Sequence, residues 1–315
     1  MSERYLVTGG AGFIGSNIAE TLVKQGHFVR IIDNLSTGKK ENLDNYIDKV
    51  EFVQGDLRYL NTVMEVMDGI DYVFHQAALP SVPRSVQTPI ESNDNNTNGT
   101  LNILYAAKEK KIKRVVYAAS SSAYGESPAL PKVETMKPAP LSPYAVNKLV
   151  GEYYCAVFSH VYGLETITLR YFNVFGPRQD PSSFYSAVIP KFIKAMLEGR
   201  SPVIFGDGEQ SRDFSYIDNV VHANLLAAKA PKEAVGQVFN IACGERITLN
   251  ELFNSLTEIL RVDSSAKYAE PRTGDIKHSL ADIEKAKKLM GYEVMVPVYE
   301  GLKLTADWFC KYYGY

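Results

Sequence analysis

The sequence has little that would direct it into an oxidising compartment or a membrane. It contains three cysteines, an odd number at wide spacing and without a CxxC pair, so we expect reduced thiols that serve in packing. Its first residues show no basic segment followed by an apolar run, and no stretch approaches the roughly 20 apolar residues that span a bilayer. We therefore expect a soluble, cytoplasmic protein that does not enter a membrane.

Neither sign of charge dominates the chain. The 315 residues include 34 Lys and Arg against 36 Asp and Glu, for a formal net charge of -2. Nucleic-acid binding needs a concentrated basic field, so we expect no nucleic-acid partner. A few well-placed Arg or Lys side chains would still suffice for an anionic small molecule. We also predict no metal site.

The first half of the chain alternates short β-rich runs with helical patterns. Helical spacing runs through Ile14–Gln25, about Pro89–Lys110 and Tyr144–Tyr162. Strands are predicted at Tyr5–Thr8, Phe28–Asp33, Val50–Val53, Asp71–His75, Arg114–Ser120 and Leu164–Phe172. Strands that alternate with helices predict an α/β fold, a Rossmann-type doubly wound parallel sheet.

A glycine-rich turn joins the first predicted strand to the first helix. Gly9 permits a tight turn, Gly12 lets the backbone approach a pyrophosphate, and Gly15 allows close helix–sheet packing. Asp33 ends the second strand, where a carboxylate can accept both ribose hydroxyls and repels a 2′-phosphate. The pattern predicts NAD as cofactor. Asp56-Leu57 could reach the adenine, and Ala77-Ala78 could let the cofactor lie against the backbone.

The domain prediction follows from this motif. We expect an NAD-binding Rossmann domain at 1–172, with a return segment near 213–240, and a smaller C-terminal α/β substrate lobe at 173–315. The boundary between them should be interleaved, because the pattern after residue 173 is irregular and rich in Gly and Pro.

Tyr144 and Lys148 lie four residues apart on a predicted helix, so both face the same way. A lysine ammonium nearby favours the phenolate, and such a Tyr can take a proton while hydride leaves the same carbon. Ser120, Ser121 and Ser122 end the fifth strand at the carboxyl edge of the sheet. Either Ser120 or Ser121 could relay the proton, and the spacing does not choose between them. A Tyr–Lys pair alone is more often a structural pair on the surface of a helix than a catalytic one. Together with the glycine motif and the serines, the catalytic interpretation becomes the favoured one.

With these motifs the sequence resembles an extended short-chain dehydrogenase/reductase, in particular the UDP-sugar 4-epimerases and, most closely, those acting on UDP-N-acetylglucosamine. The resemblance covers nearly the whole chain. It rests on Thr8-Gly-Gly-Ala-Gly-Phe-Ile-Gly15, Asp33-Asn34, Gly55-Asp56-Leu57, Gln76-Ala-Ala-Leu-Pro-Ser-Val-Pro-Arg-Ser85, Tyr144 with Lys148, Arg170-Tyr-Phe-Asn-Val-Phe-Gly-Pro-Arg178, Arg212-Asp-Phe-Ser-Tyr-Ile-Asp218 and Gly274-Asp-Ile-Lys-His-Ser-Leu-Ala-Asp282.

The resemblance implies roles for further residues. The cofactor-contacting positions are Gly9, Gly12, Phe13, Ile14, Gly15, Asp33, Asn34, Ser36, Gly38, Asp56, Leu57, Gln76, Ala77, Ala78, Asn96, Tyr144, Lys148, Tyr171 and Val174. The substrate positions are Ser81, Arg84, Ser122, Asn173, Ala187, Val188, Ile204, Phe205, Arg212, Arg272, Asp275 and Ser279. Among these, Arg212 and Arg272 would fork onto a diphosphate, and Ile204 and Phe205 would enclose the uracil.

Two departures from related enzymes refine the expected activity. Nucleotide-sugar dehydratases of this kind carry an Asp-Glu pair after the catalytic hydroxyl residue, whereas Ser121-Ser122 stand here. Epimerases restricted to glucose and galactose carry a bulky Tyr where this chain has Ser279, and a small residue would admit an N-acetyl group. Ser279 could also be only a loop serine whose missing volume is filled by a neighbour.

The resemblance therefore implies an isomerase, a reversible NAD-dependent 4-epimerase of UDP-hexoses that forms a homodimer through a four-helix bundle. UDP-GlcNAc and UDP-GalNAc are the expected substrates, with UDP-glucose and UDP-galactose next. Two alternatives stay open. One is a UDP-glucuronate 4-epimerase or decarboxylase of the same fold, for which Arg84 could bind the carboxylate. The other is a non-catalytic NAD-binding regulator.

Overall fold

A seven-stranded parallel sheet forms the centre of the molecule. The computed structural model describes residues 2–181, 187–271 and 277–315. Its strands are β1 Arg4–Thr8, β2 Phe28–Asp33, β3 Glu51–Gln54, β4 Tyr72–His75, β5 Arg114–Ser120, β6 Thr166–Tyr171 and β11 Val238–Ile241. Across the sheet they are ordered β11-β6-β5-β4-β1-β2-β3. The Rossmann-type fold expected from the sequence is confirmed.

Helices cover both faces of this sheet, and in the part of the chain that the structure describes three two-stranded sheets lie outside it. The helices are α1 Phe13–Lys24, α2 Leu60–Val66, α3 Val82–Gln87, α4 Pro89–Asn93, α5 Gly99–Glu109, α6 Pro143–Tyr162, α7 Val188–Leu197, α8 Ile217–Lys229, α9 Leu249–Leu260, α10 Glu284–Met290 and α11 Val298–Tyr313. The small sheets pair β7 Val174–Phe175 with β10 Ser215–Tyr216, β8 Val203–Phe205 with β13 Lys267–Ala269, and β9 Ser211–Arg212 with β12 Ile247–Thr248.

The core is divided by the sheet into two layers. Successive strand residues point to opposite faces, so Leu6 packs in one layer and Val7 in the other, and Val115 and Val116 divide in the same way. The central strand β5 is buried along almost its whole length. Both faces of a parallel sheet must be covered, and for this reason the strand reads as a continuous apolar run.

The predicted helix at Pro89–Lys110 is continuous but not uniform. A π-helical segment, Asp94–Asn98, lies between α4 and α5. Helix α6 begins one residue before the predicted start, because Pro143 takes the first helical position and the Ser142 hydroxyl accepts the N–H of Ala145. Strand β6 is shorter than the predicted Leu164–Phe172.

The later part of the chain contributes to both regions. Strand β11 extends the central sheet beside β6, and α8 packs on α1 and β5, while β8, β9 and their partners lie outside this sheet. The chain therefore crosses between the two regions more than once after residue 173. The domain bounds drawn from the sequence stay a prediction.

Some features are absent from the described residues. Within 2–181, 187–271 and 277–315, none of the helices is both long and apolar enough to cross a bilayer. The same residues hold no group of three His, Cys, Asp or Glu side chains placed to bind a metal ion. Cys155, Cys243 and Cys310 are all free thiols.

Candidate active site

The glycine-rich turn leaves the first strand where the predicted cofactor would bind. Gly9 has φ +64°, and a Cβ there would lie 2.7 Å from the Cα of Ala77. At Gly15 a Cβ would lie only 2.2 Å from the carbonyl oxygen of Gly9. Gly12 caps helix α1 without a side chain, so the first N–H groups of the helix face an open cavity. This turn fits a dinucleotide, because its backbone can approach a pyrophosphate closely.

Asp33 is held at the end of β2 with its carboxylate at the same cavity. It accepts the N–H of Ala11 at 3.0 Å and of Leu35 at 2.8 Å. Burial raises its pKa, and the two N–H donors oppose that rise. A Cβ at Gly38 would lie 2.8 Å from both carboxylate oxygens, so the predicted glycine leaves room beside the acid. The free lone pairs of the carboxylate suit ribose hydroxyls.

Asp56 closes the cavity beyond Asp33. Arg58 forks onto its carboxylate at 2.8–3.1 Å, and Asn34 donates to it at 3.2 Å. The hydrogen bond from Arg58 lowers the pKa of Asp56 to about 2. Asp56 thus remains ionised and is turned toward Arg58, a residue that the sequence reasoning did not single out.

A hydrogen-bonded group of three side chains lies at the carboxyl ends of β4 and β6, and two of them, Gln76 and Tyr171, line the cavity. The Tyr171 hydroxyl lies 3.2 Å from Gln76 Oε1, and Asn224 Nδ2 donates to that hydroxyl at 2.8 Å. Gln76 also donates to Asn224 at 3.0 Å. Asn224 belongs to α8, far along the chain, and nothing in the local sequence marked it.

Tyr144 and Lys148 lie on α6 at the edge of this cavity, as the four-residue spacing predicts. Lys148 is almost fully buried and donates to the carbonyl oxygen of Ala118 at 2.7 Å. The Ser120 side chain lies close enough to the Tyr144 phenol to lower its pKa against the effect of burial. Ser120 in turn accepts the hydroxyl of Ser122 at 2.9 Å. The structure therefore brings Ser120, and not its neighbour Ser121, into contact with Tyr144.

Burial shifts the pKa values of both Tyr144 and Lys148 toward their neutral forms. Burial raises the pKa of Tyr144 to about 12, with only a partial opposing effect from Ser120. Burial also lowers the pKa of Lys148 to about 8. Desolvation acts against charge on both groups, and the sequence motif does not encode it. The expected role of Lys148 and the nicotinamide ring in favouring the phenolate stays a prediction.

One cavity of about 390 Å³ collects most of the predicted cofactor positions. Its lining includes Gly9, Gly12, Phe13, Ile14, Gly15, Asp33, Asn34, Ser36, Asp56, Leu57, Gln76, Ala77, Ala78, Tyr144, Lys148 and Tyr171, together with the predicted substrate residues Ser81 and Arg84. Asn96 lies behind the wall: it is buried and pairs with both the N–H and the carbonyl of Leu79, at 2.7 and 3.1 Å.

A second cavity of about 730 Å³ lies between the small sheets and α7. The predicted residues that line it are Asn173, Val174, Ala187, Val188, Phe205 and Arg212. Arg212 is braced by the carbonyls of Ser211 and Lys277 at 3.0 and 3.1 Å. Val174, expected at the cofactor, thus faces the second cavity.

The remaining predicted substrate positions lie elsewhere. Ile204 is fully buried in the core, so its side chain is not at the surface of either cavity. Ser279 lies beside Arg212, because its N–H donates to the carbonyl of Ser211 at 3.0 Å. Arg272 and Asp275 lie outside the described residues.

Sequence reasoning missed a rim of charged residues around the first cavity. Lys39 and Asp180 form an ion pair of 2.9 Å across it, and both line the cavity. Arg178 lines it as well and pairs with Glu20 of α1. Arg178 stood in a recognised motif without a role, whereas Lys39 and Asp180 come together only through the tertiary fold.

Taken together, a dinucleotide cradle and a Tyr–Lys pair on a Rossmann-type sheet define a nucleotide-dependent enzyme. Residues 5–242 match the model of the NAD dependent epimerase/dehydratase family, and the chain belongs to that family. The expected enzyme class, an isomerase related to UDP-sugar 4-epimerases with NAD as cofactor, is confirmed.

Solved structures of relatives agree with this assignment. The chain is 44% identical to a UDP-N-acetylglucosamine 4-epimerase from Methanobrevibacter ruminantium M1, solved with UDP-N-acetylmuramic acid, over 99% of this chain and 100% of that one, with a TM-score of 0.94. It is 40% identical to the UDP-glucose 4-epimerase of Thermotoga maritima, solved with UDP-glucose, over 98% and 99% of the two chains, with a TM-score of 0.94.

A relative of different specificity is nearly as similar. The UDP-glucuronate 4-epimerase of Thermodesulfobacterium geofontis is 37% identical over 96% of this chain and 95% of its own length. These three relatives therefore share the 4-epimerase reaction but differ in the sugar.

Proposed function

We propose that the chain catalyses reversible 4-epimerisation of UDP-hexoses through a 4-keto intermediate, with UDP-GlcNAc and UDP-GalNAc as its main substrates and UDP-glucose and UDP-galactose as further ones. The observation that carries the reaction type is the grouping of Tyr144, Ser120 and Ser122 at the carboxyl end of β5, where Ser120 acts on the Tyr144 phenol and accepts the Ser122 hydroxyl at 2.9 Å. A dehydratase needs an acid at this place to eliminate water, and Ser121 and Ser122 occupy it.

In this proposal Tyr144, Ser120 and Lys148 have separate roles in proton transfer and cofactor binding. Tyr144 takes the proton of the sugar 4-hydroxyl, and Ser120 holds the same oxygen and passes the proton. Bound NAD supplies a hydride acceptor and donor at the sugar C4. Lys148 holds the nicotinamide ribose and adds positive charge beside the phenol. No net oxidation results, so the enzyme consumes no external NAD.

The substrate lobe keeps the nucleotide in place while the keto sugar turns over. Arg212 lies in the second cavity with its guanidinium oriented by two carbonyls, so it is ready to contact a diphosphate. Asn173 is held in that cavity by the carbonyl of Asp213 at 3.1 Å. Binding energy at the UDP allows the sugar to present either face to the same hydride.

The preference for N-acetylated sugars rests on Ser279. Ser279 lies beside β9, the strand that contains Arg212, so its small side chain is close to this proposed diphosphate-binding residue. A small residue there leaves space for an acetamido group. The relative of 44% identity is named for UDP-N-acetylglucosamine, which supports the same preference.

The test is to incubate the purified protein separately with UDP-GlcNAc, UDP-glucose and UDP-glucuronate and to identify each product sugar. We expect 4-epimers from the first two, with the larger kcat/KM for UDP-GlcNAc, and no added NAD should be required. Production of only a decarboxylated pentose, or no turnover with NAD still bound, would contradict the proposal.

One observation favours a second candidate. Arg84 lines the first cavity together with Tyr144 and Ser81, where a sugar carboxylate could reach it. A UDP-glucuronate 4-epimerase or decarboxylase would use it there, and turnover of UDP-glucuronate above that of UDP-GlcNAc would favour this candidate. A non-catalytic NAD-binding regulator would show no turnover of any UDP-sugar.

We also propose a homodimer, formed by a four-helix bundle of α5 and α6 with their symmetry mates. Helix α6 exposes Val146, Tyr153, Val157 and Val161 along one stripe, and Tyr105 of α5 is exposed as well. Apolar side chains at this spacing suit helix pairing across a twofold axis. A cytoplasmic location stays a prediction of the sequence.

A further inference from the structure

A buried ion pair lies next to the catalytic helix without a role in the proposed reaction. Arg170 of β6 donates two hydrogen bonds to the carboxylate of Glu152 of α6, from Nε to Oε1 at 2.9 Å and from Nη2 to Oε2 at 2.6 Å. Their side chains are only 2% and 4% exposed. A guanidinium stays protonated in proteins, so a bidentate interaction with both oxygens of Glu152 requires Glu152 to be a carboxylate.

The pair stands directly behind Lys148. Tyr144, Lys148 and Glu152 follow one another at four-residue intervals and share one face of α6. Arg170 is opposite Ala119 in the β5–β6 register, one residue from the carbonyl of Ala118 that Lys148 contacts. The charges of Glu152 and Arg170 therefore lie one helical turn beyond the ammonium, on the side away from Tyr144.

The other titratable groups that the structure places against Lys148 are neutral at physiological pH. They are His75 on β4, Tyr117 on β5, whose ring centroid lies 5.0 Å from Nζ, and Cys155 on α6. Tyr144 lies one turn earlier on α6, and Tyr171 on β6 lines the same cavity as Lys148. Burial lowers the pKa of His75 to about 3 and raises the pKa values of Tyr144 and Cys155 to about 12. Burial likewise raises the pKa values of Tyr117 and Tyr171.

Glu152 is the carboxylate whose charge acts on Lys148 and favours its protonated form. Without Glu152, Lys148 and Arg170 would both remain buried cations, and each would lose the carboxylate that now interacts with it. Buried ion pairs add little stability over a well-packed apolar pair. Stability alone therefore gives little reason for this pair.

We propose that Glu152 is a positioning residue, which keeps Lys148 protonated by cancelling the field of Arg170. Its catalytic consequence rests on the proposed function, because Lys148 acts there as a cation beside Tyr144 and the nicotinamide ribose. Its physical claim concerns only the protonation of Lys148 and can be tested without substrate.

The experiment follows the side-chain NMR signal of Lys148 against pH in the NAD-loaded protein with isotope-labelled lysine. The signal is assigned by its loss in Lys148→Met. In Glu152→Gln, which keeps the shape but removes the charge, the pKa of Lys148 should fall by about one unit. In Arg170→Met it should rise, because the carboxylate then acts on Lys148 alone. The double variant should return toward the wild-type value.

A control comes from a second Arg–Glu pair in the same part of the molecule. Arg114, the first residue of β5, contacts Glu165, the residue before β6, at 2.6 Å, at the opposite ends of these strands from the catalytic residues. Glu165→Gln should leave the Lys148 titration unchanged. Glu152→Asp, which keeps the charge, should also titrate Lys148 like the wild type.

The Lys148 pKa should shift in opposite directions in Glu152→Gln and Arg170→Met. This distinguishes an effect of charge from a loss of packing, because a loss of packing would shift the pKa in the same direction in both variants. An unaltered Lys148 titration in Glu152→Gln, or the same downward shift in Arg170→Met, would overturn the inference. If no UDP-sugar is turned over but the two shifts appear, the proposed function fails and the inference about Lys148 stands.

Discussion

The ammonium of Lys148 donates a 2.7 Å hydrogen bond to the carbonyl of Ala118, and this contact fixes the catalytic helix to the central strand β5. The same strand ends at Ser120, which contacts the Tyr144 phenol. One helix and one strand thus set the geometry of proton transfer. The cofactor cavity opens beside them, lined by both Tyr144 and Lys148.

Tyr144→Phe tests the proton transfer assigned to the phenol. We expect kcat to fall by about 100-fold or more, because general acid–base groups contribute on this scale. NAD content should stay near that of the wild type, since the ring that lines the cavity is retained. Tyr153→Phe, on the exposed side of the same helix, is the control and should be fully active. Near-normal turnover in Tyr144→Phe would refute the assignment.

The pH dependence of turnover should reflect Lys148. Burial lowers its pKa to about 8, so the protonated, active form is lost as the pH rises through that value. We expect kcat to decline on the alkaline side of about pH 8. The profile of kcat against pH, with saturating UDP-GlcNAc, measures this. A plateau that continues up to the usual lysine pKa of about 10.4 would show that Lys148 does not limit the rate.

The same lowered pKa has a consequence for stability. Between about pH 8 and 10.5 the unfolded chain keeps the proton on Lys148 while the folded chain releases it. Stability then rises with pH in this window, because the unfolded state binds more protons. Comparing the free energies of unfolding of wild type and Lys148→Met across the window isolates this contribution. We expect Lys148→Met to lack the rise, and an equal rise in both proteins would contradict the buried, depressed lysine.

Gly15→Ala tests the cofactor turn. The added Cβ would lie 2.2 Å from the Gly9 carbonyl oxygen, so the helix and the turn must separate. We expect a loss of about 1–3 kcal/mol in stability and a lower NAD content of the purified protein. Gly99→Ala is the control, because its Cβ finds its nearest atom at 3.5 Å. Full NAD content in Gly15→Ala would argue against the turn as the pyrophosphate site.

Ser279→Tyr tests the proposed substrate preference. A bulky side chain should close the space beside β9 and reduce kcat/KM for UDP-GlcNAc more than for UDP-glucose. The ratio of the two kcat/KM values is the relevant measurement, because it cancels general damage to the enzyme. Ser279→Ala should leave the ratio unchanged. An equal loss on both substrates would remove Ser279 as a determinant of specificity.

Val157→Glu tests the proposed dimer. A carboxylate in the exposed apolar stripe of α6 should be costly to bury between two protomers. We expect the mass measured by light scattering to fall from two chains to one. Met295→Glu, at an exposed apolar residue elsewhere, should leave the mass unchanged. A wild-type protein that already has the mass of one chain would contradict the proposal.

Much of the fold followed from local patterns, and much of the site did not. The glycine turn and the Tyr144–Lys148 spacing describe short-range geometry, so the sequence located them well. Asn224 holds Gln76 and Tyr171 of the first cavity, and Asp180 lines it; both come from chain segments distant in sequence, which no local pattern reveals. The raised pKa of Tyr144 depends on desolvation in the folded state, and a motif does not encode burial.

The most direct test of the proposed reaction uses UDP-GlcNAc with deuterium at C4 of the sugar. Hydride transfer away from C4 and back should produce UDP-GalNAc that retains the deuterium at C4, in ordinary water and without added NAD. Loss of the deuterium to solvent, detected by mass spectrometry of the product, would contradict the hydride mechanism and the role given to Tyr144.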